Sequence, residues 1–186
     1  HFLKEYTEER MPEIFAALKK EDNPYVGVHF TNHPILTFNP SPSHKDPVGV
    51  YTFPKEYVLS NGLIHNSGYR KYPYKYIIKP SESAKILNLD MDENTARTLI
   101  KQMGLPDDLY DNPNIFHYTT KKMIPGHRFW GALEYHNNQD RAPNNLWWNK
   151  LFKKTEYNVL LDPGLGIIHS NEKSQMVYLE RSALIV

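Results

Sequence analysis

Apolar residues near the start of the chain recur at helical spacing. Phe2, Tyr6, Met11, Ile14, Phe15 and Leu18 are separated by charged positions, which predicts an amphipathic helix over Phe2–Lys20. Asp22, Asn23 and Pro24 stop it. The period then shortens. Tyr25–Phe30, Ile35–Phe38 and Val48–Phe53 read as short strands, with the Pro/Ser stretch Asn39–Pro47 as a loop between the last two. Lys55–Leu59 reads as a short helix and Asn61–Pro73 as a surface excursion. Tyr74–Lys79 and Lys85–Leu89 are further strands, parted by a turn-like PSES. A helix is expected over Asn94–Met103, capped by Asp90 or Asp92 and closed by Gly104. Helices around Arg128–His136 and at Asn145–Lys153 flank an expected loop at Asn137–Asn144. Strands at Tyr157–Leu161, Ile167–Ser170, Gln175–Leu179 and Ala183–Val186 complete the pattern. Strands gather at both ends with helices inserted between them, so the chain reads as α+β. The expected core is a split, mostly antiparallel sheet with an N-terminal helix.

Composition narrows this picture. A chain of 186 residues with 40% apolar and 23% charged positions suits one globular domain, residues 1–186. It begins at His1 rather than Met, and we expect a piece excised or processed from a longer protein. No apolar run reaches the ~18 residues of a membrane helix, so no membrane partner is expected. A net charge of +1 gives no electrostatic argument for nucleic acid. With no cysteine, disulfides, thiolate metal sites and a Cys nucleophile are excluded, which suits a reducing compartment. His117, His127 and His136 match no metal-ligand spacing, and no metal is expected. Lys71–Lys79 interleaves Lys with Tyr as a nucleic-acid contact would, but an exposed strand face explains it better. Of Trp147 and Trp148, one ring is expected in the core and the other beside a groove.

Three segments stand out for chemistry. VGVHFTN puts His29 in an alternating apolar strand; DPVGVYTFPKEY ends a strand on Tyr51; GIIHSNEKSQMVYL opens its last strand with Gln175. Singly, each has an ordinary structural explanation. In that order and spacing they resemble the His–Tyr–Glu layout of the ADP-ribosyltransferase superfamily, and the tail looks like that of phage-encoded and bacterial members.

The resemblance implies an ADP-ribosyltransferase-like split sheet and an NAD site. His29 would hold a ribose hydroxyl, with Phe30 and Thr31 beside it. Tyr51 would stack on nicotinamide, with Tyr57 nearby. Gln175, assisted by Glu172, would steer the ribose through an oxocarbenium-like state. The implied activity is NAD-dependent mono-ADP-ribosyl transfer to a macromolecular acceptor, a protein ahead of a nucleic acid, with release of nicotinamide. The implied setting is a monomeric domain of a bacteriophage or bacterial effector, toxin-like, acting in a cytoplasm and delivered there into a host cell. The alternatives are a non-catalytic module that binds NAD, ADP-ribose or a protein on the same fold, and an NAD glycohydrolase. Two positions depart from the family pattern: Gln175 replaces a glutamate, and Phe30 stands where many members carry glycine.

Overall fold

The computed structural model describes residues 11–61, 72–117, 123–169 and 173–186. Phe2–Arg10, most of Asn61–Pro73, Ser170 and Glu172 therefore lie outside the described residues. The elements run α1 (Met11–Lys20), β1 (Gly27–Thr31), β2 (Val50–Pro54), α2 (Lys55–Asn61), β3 (Tyr74–Pro80), β4 (Ile86–Asn88), α3 (Glu93–Gln102), α4 (Pro125–Asp140), α5 (Leu146–Phe152), β5 (Val159–Pro163), β6 (Ser174–Tyr178) and β7 (Leu184–Ile185). Three-residue 3₁₀ turns precede α4 and β7.

The strands join in one seven-stranded sheet of order β4-β5-β6-β2-β1-β3-β7. Only β4 and β5 run parallel; every other described pair is antiparallel. The protein is thus mixed α+β with a mostly antiparallel sheet. The sheet parts in the middle. β2 meets β1 at its last two residues, Gly27 opposite Pro54 and Val28 opposite Phe53. Its first three residues instead pair with β6, Val50 opposite Tyr178 and Tyr51 opposite Val177. Past Val28 the β1–β2 ladder ends, so His29 and Tyr51 flank an opening rather than a continuous sheet.

Three apolar clusters hold this frame. Helices α3, α4 and α5 cover one part of the sheet through Leu99, Ile100, Trp130, Leu133, Trp148 and Phe152. Trp148 is stacked between Trp130 and Trp147, at centroid distances of 4.2 and 4.0 Å. Trp148 is the buried core ring expected, and Trp147 is only half-buried. Ile14 and Leu18 of α1 pack with Val26, Val28 and Phe53. The third cluster gathers Val50, Tyr76, Met176 and Tyr178. Asp92, not Asp90, caps α3, accepting from the Thr95 N–H at 2.7 Å.

Four expectations are corrected. Ile35–Phe38 is no strand: β3 is already paired on both sides by β1 and β7, and the segment joins neither free edge of the sheet, β4 or β7. Leu36 and Phe38 pack on the third cluster while Ile35 is exposed. Ile167–His169 is no strand either, because a carboxylate takes the backbone N–H groups a ladder would need. The expected loop at Asn137 begins later, since Asn137 is buried one helical turn beyond Leu133 and α4 runs on to Asp140. Arg141, in the left-handed conformation at φ 52°, ends the helix. Finally, the last strand shortens to Leu184–Ile185, with Ala183 in a 3₁₀ turn.

Candidate functional site

The opening beside β2 is a cleft of about 400 Å³. His29 comes from β1, Tyr51 and Phe53 from β2, and Gln175 from the start of β6. Asp46 and Pro47 come from the loop before β2, and His169 from the turn before β6. The residues 31 to 49 cross over as a loop, and α5 fixes them. Asn145 accepts from Ser41 N–H at 2.7 Å and donates to the Asp46 carbonyl at 3.0 Å. The Trp148 indole N–H donates to the His44 carbonyl at 3.0 Å. Asn149 both accepts from and donates to the Val48 backbone, at 3.0 and 2.7 Å. The Pro/Ser loop is thus held residue by residue along one helix face.

His29 stands where the β1–β2 ladder stops, and its side chain replaces the missing backbone bond. Nδ1–H donates to the Tyr51 carbonyl at 2.6 Å. Burial pushes the imidazole below its usual pKa, and the carbonyl contact offsets this only in part. The ring is therefore neutral at pH 7, with its Nε2 lone pair left as an acceptor. The Tyr51 hydroxyl donates to the Pro47 carbonyl at 2.5 Å. Burial and the Asp46 charge hold that hydroxyl well above the ordinary phenol range. Tyr51 thus ties the loop to the strand and lends the cleft its ring.

The opposite wall is a turn. The buried Asp162 of β5 collects four backbone N–H groups. Oδ1 accepts from Gly164 at 3.2 Å and Leu165 at 2.9 Å; Oδ2 accepts from Ile167 at 2.8 Å and Ile168 at 3.0 Å. Gly164 and Gly166 take φ of 91° and 67°, which side-chain-bearing residues rarely adopt. Two carbonyls of the same turn are also claimed. His127 Nε2–H donates to Leu165 at 2.6 Å and His117 Nε2–H to Ile167 at 2.9 Å, with the two rings stacked 4.8 Å apart. These histidines brace a turn. Among the described residues no group of His, Asp or Glu is gathered to hold a metal ion.

The braced turn ends on His169. Its Nδ1 lies 2.5 Å from Gln175 Oε1 and its Nε2 3.2 Å from Asp46 Oδ2. Both facing atoms are acceptors, and the ring satisfies both when each of its nitrogens carries a proton. The Asp46 hydrogen bond raises the imidazole pKa above its usual value, against the burial that would lower it. Gln175 and the Asp46 and Asp162 charges add to the rise. The Tyr51 ring lies 5.8 Å from His169, so the two walls meet.

The cleft therefore gathers His29, Phe30, Tyr51 and Gln175 of the expected residues. Thr31 and Tyr57 do not line it. Thr31 accepts from His33 N–H at 3.1 Å, and Tyr57 stacks on Phe53 at 5.8 Å on the α2 side. Glu172 lies outside the described residues. Asp46 and His169 were missed. Their signal was a Gly-rich turn opened by Asp162, which marks His169 as the residue a fixed turn delivers. In the Lys71–Lys79 segment, Lys75 points inward, with its ammonium donating to the Tyr72 carbonyl at 2.8 Å, so its charge is not offered to a nucleic-acid backbone. Among the described residues no helix is long and apolar enough to cross a membrane. No family model, no curated protein and no solved structure matches the chain.

Proposed function

We propose that this cleft binds NAD and that the protein is an NAD-dependent mono-ADP-ribosyltransferase acting on a macromolecular acceptor. The supporting observation is convergence: His29, Tyr51 and Gln175, far apart in sequence, line one cleft where the sheet parts. A neutral His29 with a free Nε2 lone pair suits a ribose hydroxyl as donor. The Tyr51 ring offers an apolar face to nicotinamide, as its hydroxyl is occupied by Pro47. Gln175 sits against the sugar. In the reaction the C1′–N bond breaks and nicotinamide leaves with its electron pair. The acceptor nucleophile bonds to C1′ and loses its proton to solvent. A monomeric enzyme of phage or bacterial origin, working in a cytoplasm on a protein acceptor, is the setting this reading carries.

A second reading has its own observation. The carboxylate lining the described cleft, Asp46, is committed to His169, and Gln175 is neutral. A cleft that binds NAD or ADP-ribose without transfer fits that polarity. Incubation with adenylate-labelled NAD separates the readings. Nicotinamide release with label on protein supports transfer, and release without labelled protein supports a glycohydrolase. Binding without release supports the module. Absence of NAD binding sinks the proposal.

A further inference from the structure

We infer that His169 is a positioning residue: as an imidazolium it bridges the Asp46 carboxylate and the Gln175 amide carbonyl, and so presents the Gln175 NH₂ to the cleft as a donor for an acceptor oxygen of the ligand. This rests on the cleft being an NAD site and names what its third position recognises there. Gln175 is 5% exposed and lines the cleft. Its Oε1 is taken by His169 Nδ1–H, while among the described residues its Nε2 makes no hydrogen bond. That nitrogen is not among the buried polar atoms left without a partner, so it opens on the cleft, where a ribose or phosphate oxygen of the ligand would take the place of water.

The chemistry inverts what a glutamate would do at this place. A carboxylate accepts from a hydroxyl; this amide donates to an oxygen. Its orientation depends on one proton. With His169 charged, both nitrogens donate and the amide has one satisfactory orientation. With His169 neutral, one of its two contacts loses its hydrogen, and the amide is free to turn over. No lysine or arginine lines the described cleft, so among its described lining residues a positive charge can come only from a histidine.

Among the described residues, these groups face His169. Asp46 faces Nε2, Asp162 lies beneath the turn, and Tyr51 is across the gap. Behind Asp46, Glu134 of α4 is influenced by Asp46 and Lys45, and burial holds its carboxyl at about 7. Glu134 titrates in the window of interest, so the measurements are made in wild type and in Glu134→Gln. Burial lowers the His29 pKa, away from the rise expected of His169, and Tyr51 stays protonated.

The test follows imidazole ¹⁵N and side-chain amide resonances by NMR from pH 5 to 9 in the ligand-free protein, and NAD affinity by calorimetry at pH 6 and pH 9. The expected result is a His169 titration above the ordinary imidazole value, with the Gln175 amide protons following the same curve. Asp46→Asn should move both curves down together. NAD should bind about tenfold weaker at pH 9 than at pH 6, the equivalent of one hydrogen bond. A His169 that titrates at or below the ordinary value, or Gln175 resonances indifferent to it, overturns the inference even if Asp46→Asn fails to fold. If NAD binds equally at both pH values, the inference also fails. If NAD does not bind at all while Gln175 still follows His169, the bridge is supported and the reading of the cleft as an NAD site is lost.

Discussion

His29 and His169 face one cleft from opposite walls and hold their protons by opposite means. Burial lowers the pKa of both rings. On the strand wall nothing negative stands against it: His29 has a carbonyl on one nitrogen and remains a neutral acceptor. On the turn wall the Asp46 carboxylate outweighs burial and raises the His169 pKa, so that in its charged form the ring donates on both sides. The strand supplies acceptors because its backbone neighbours are carbonyls. The turn supplies donors because a carboxylate from another segment reaches it. A cleft of this kind can grip a hydroxyl-rich ligand at both its donor and its acceptor atoms.

The largest break in the comparison comes from removing what holds the turn. Asp162→Ala strips a buried acceptor from four backbone N–H groups. The expected loss of stability is about 3–5 kcal/mol, the range for uncoupling a buried charged network. Urea unfolding at pH 7 measures it. In whatever fraction stays folded, the His169 resonance should fall toward the ordinary imidazole value, while His29 should not move. A stability loss below ~1 kcal/mol would mean that the turn is held by its glycines and not by Asp162.

Glu134 sharpens the contrast by adding a second proton to the turn side. Its carboxyl is held at about 7, from 4.5, by burial first and the Asp46 charge second. The folded protein keeps this proton where the unfolded chain has lost it. Stability therefore declines as pH rises from ~4.5 to ~7, and the full penalty stands above that. Glu134→Gln should be about 2 kcal/mol more stable than wild type at pH 8, after allowing for partial solvent contact, and nearly equal near pH 4.5. Thermal unfolding of both proteins across that range reads the crossover. An equal difference at both ends would rule out the proton as its cause.

The two walls were not equally legible in the sequence. His29 and Tyr51 show themselves because strands alternate and a polar residue in an apolar strand is conspicuous. The split between them is also local, set by where Val28–Phe53 pairing ends. His169 lies in a short apolar stretch that reads as a strand, and its role depends on Asp46, 123 residues away. The clamp on residues 41 to 48 is equally remote, since Asn145 and Asn149 reach back about a hundred residues to bind that backbone. Side chains that bond distant backbone leave no periodicity. The same holds for His117 and His127, whose spacing posed a metal question and whose structure answers with carbonyls.

The strand wall is probed through its acceptor. His29→Ala should weaken NAD binding by about tenfold, the loss of one hydrogen bond to a ribose hydroxyl. That loss should be the same at pH 7 and pH 9, because His29 is neutral at both. Calorimetric titration with NAD checks it. A loss that appears only at the higher pH would put the titrating group on the wrong wall.

The smallest effect is expected where the walls touch. Tyr51 joins them: its carbonyl takes His29, its hydroxyl takes Pro47, and its ring lies against His169. Tyr51→Phe removes only the hydroxyl. Its stability cost should be about 1 kcal/mol, the net worth of one hydrogen bond. Because the strand backbone is untouched, His29 keeps its partner and its titration should not change. The loop carrying Pro47 also carries Asp46, so any effect on chemistry should run through His169 alone. NMR titration of both imidazoles in this variant reads the two walls separately. A His169 shift with His29 unmoved would show that the strand steadies the turn through the Pro47 contact. Movement of both would show that the hydroxyl steadies the strand wall as well as the turn.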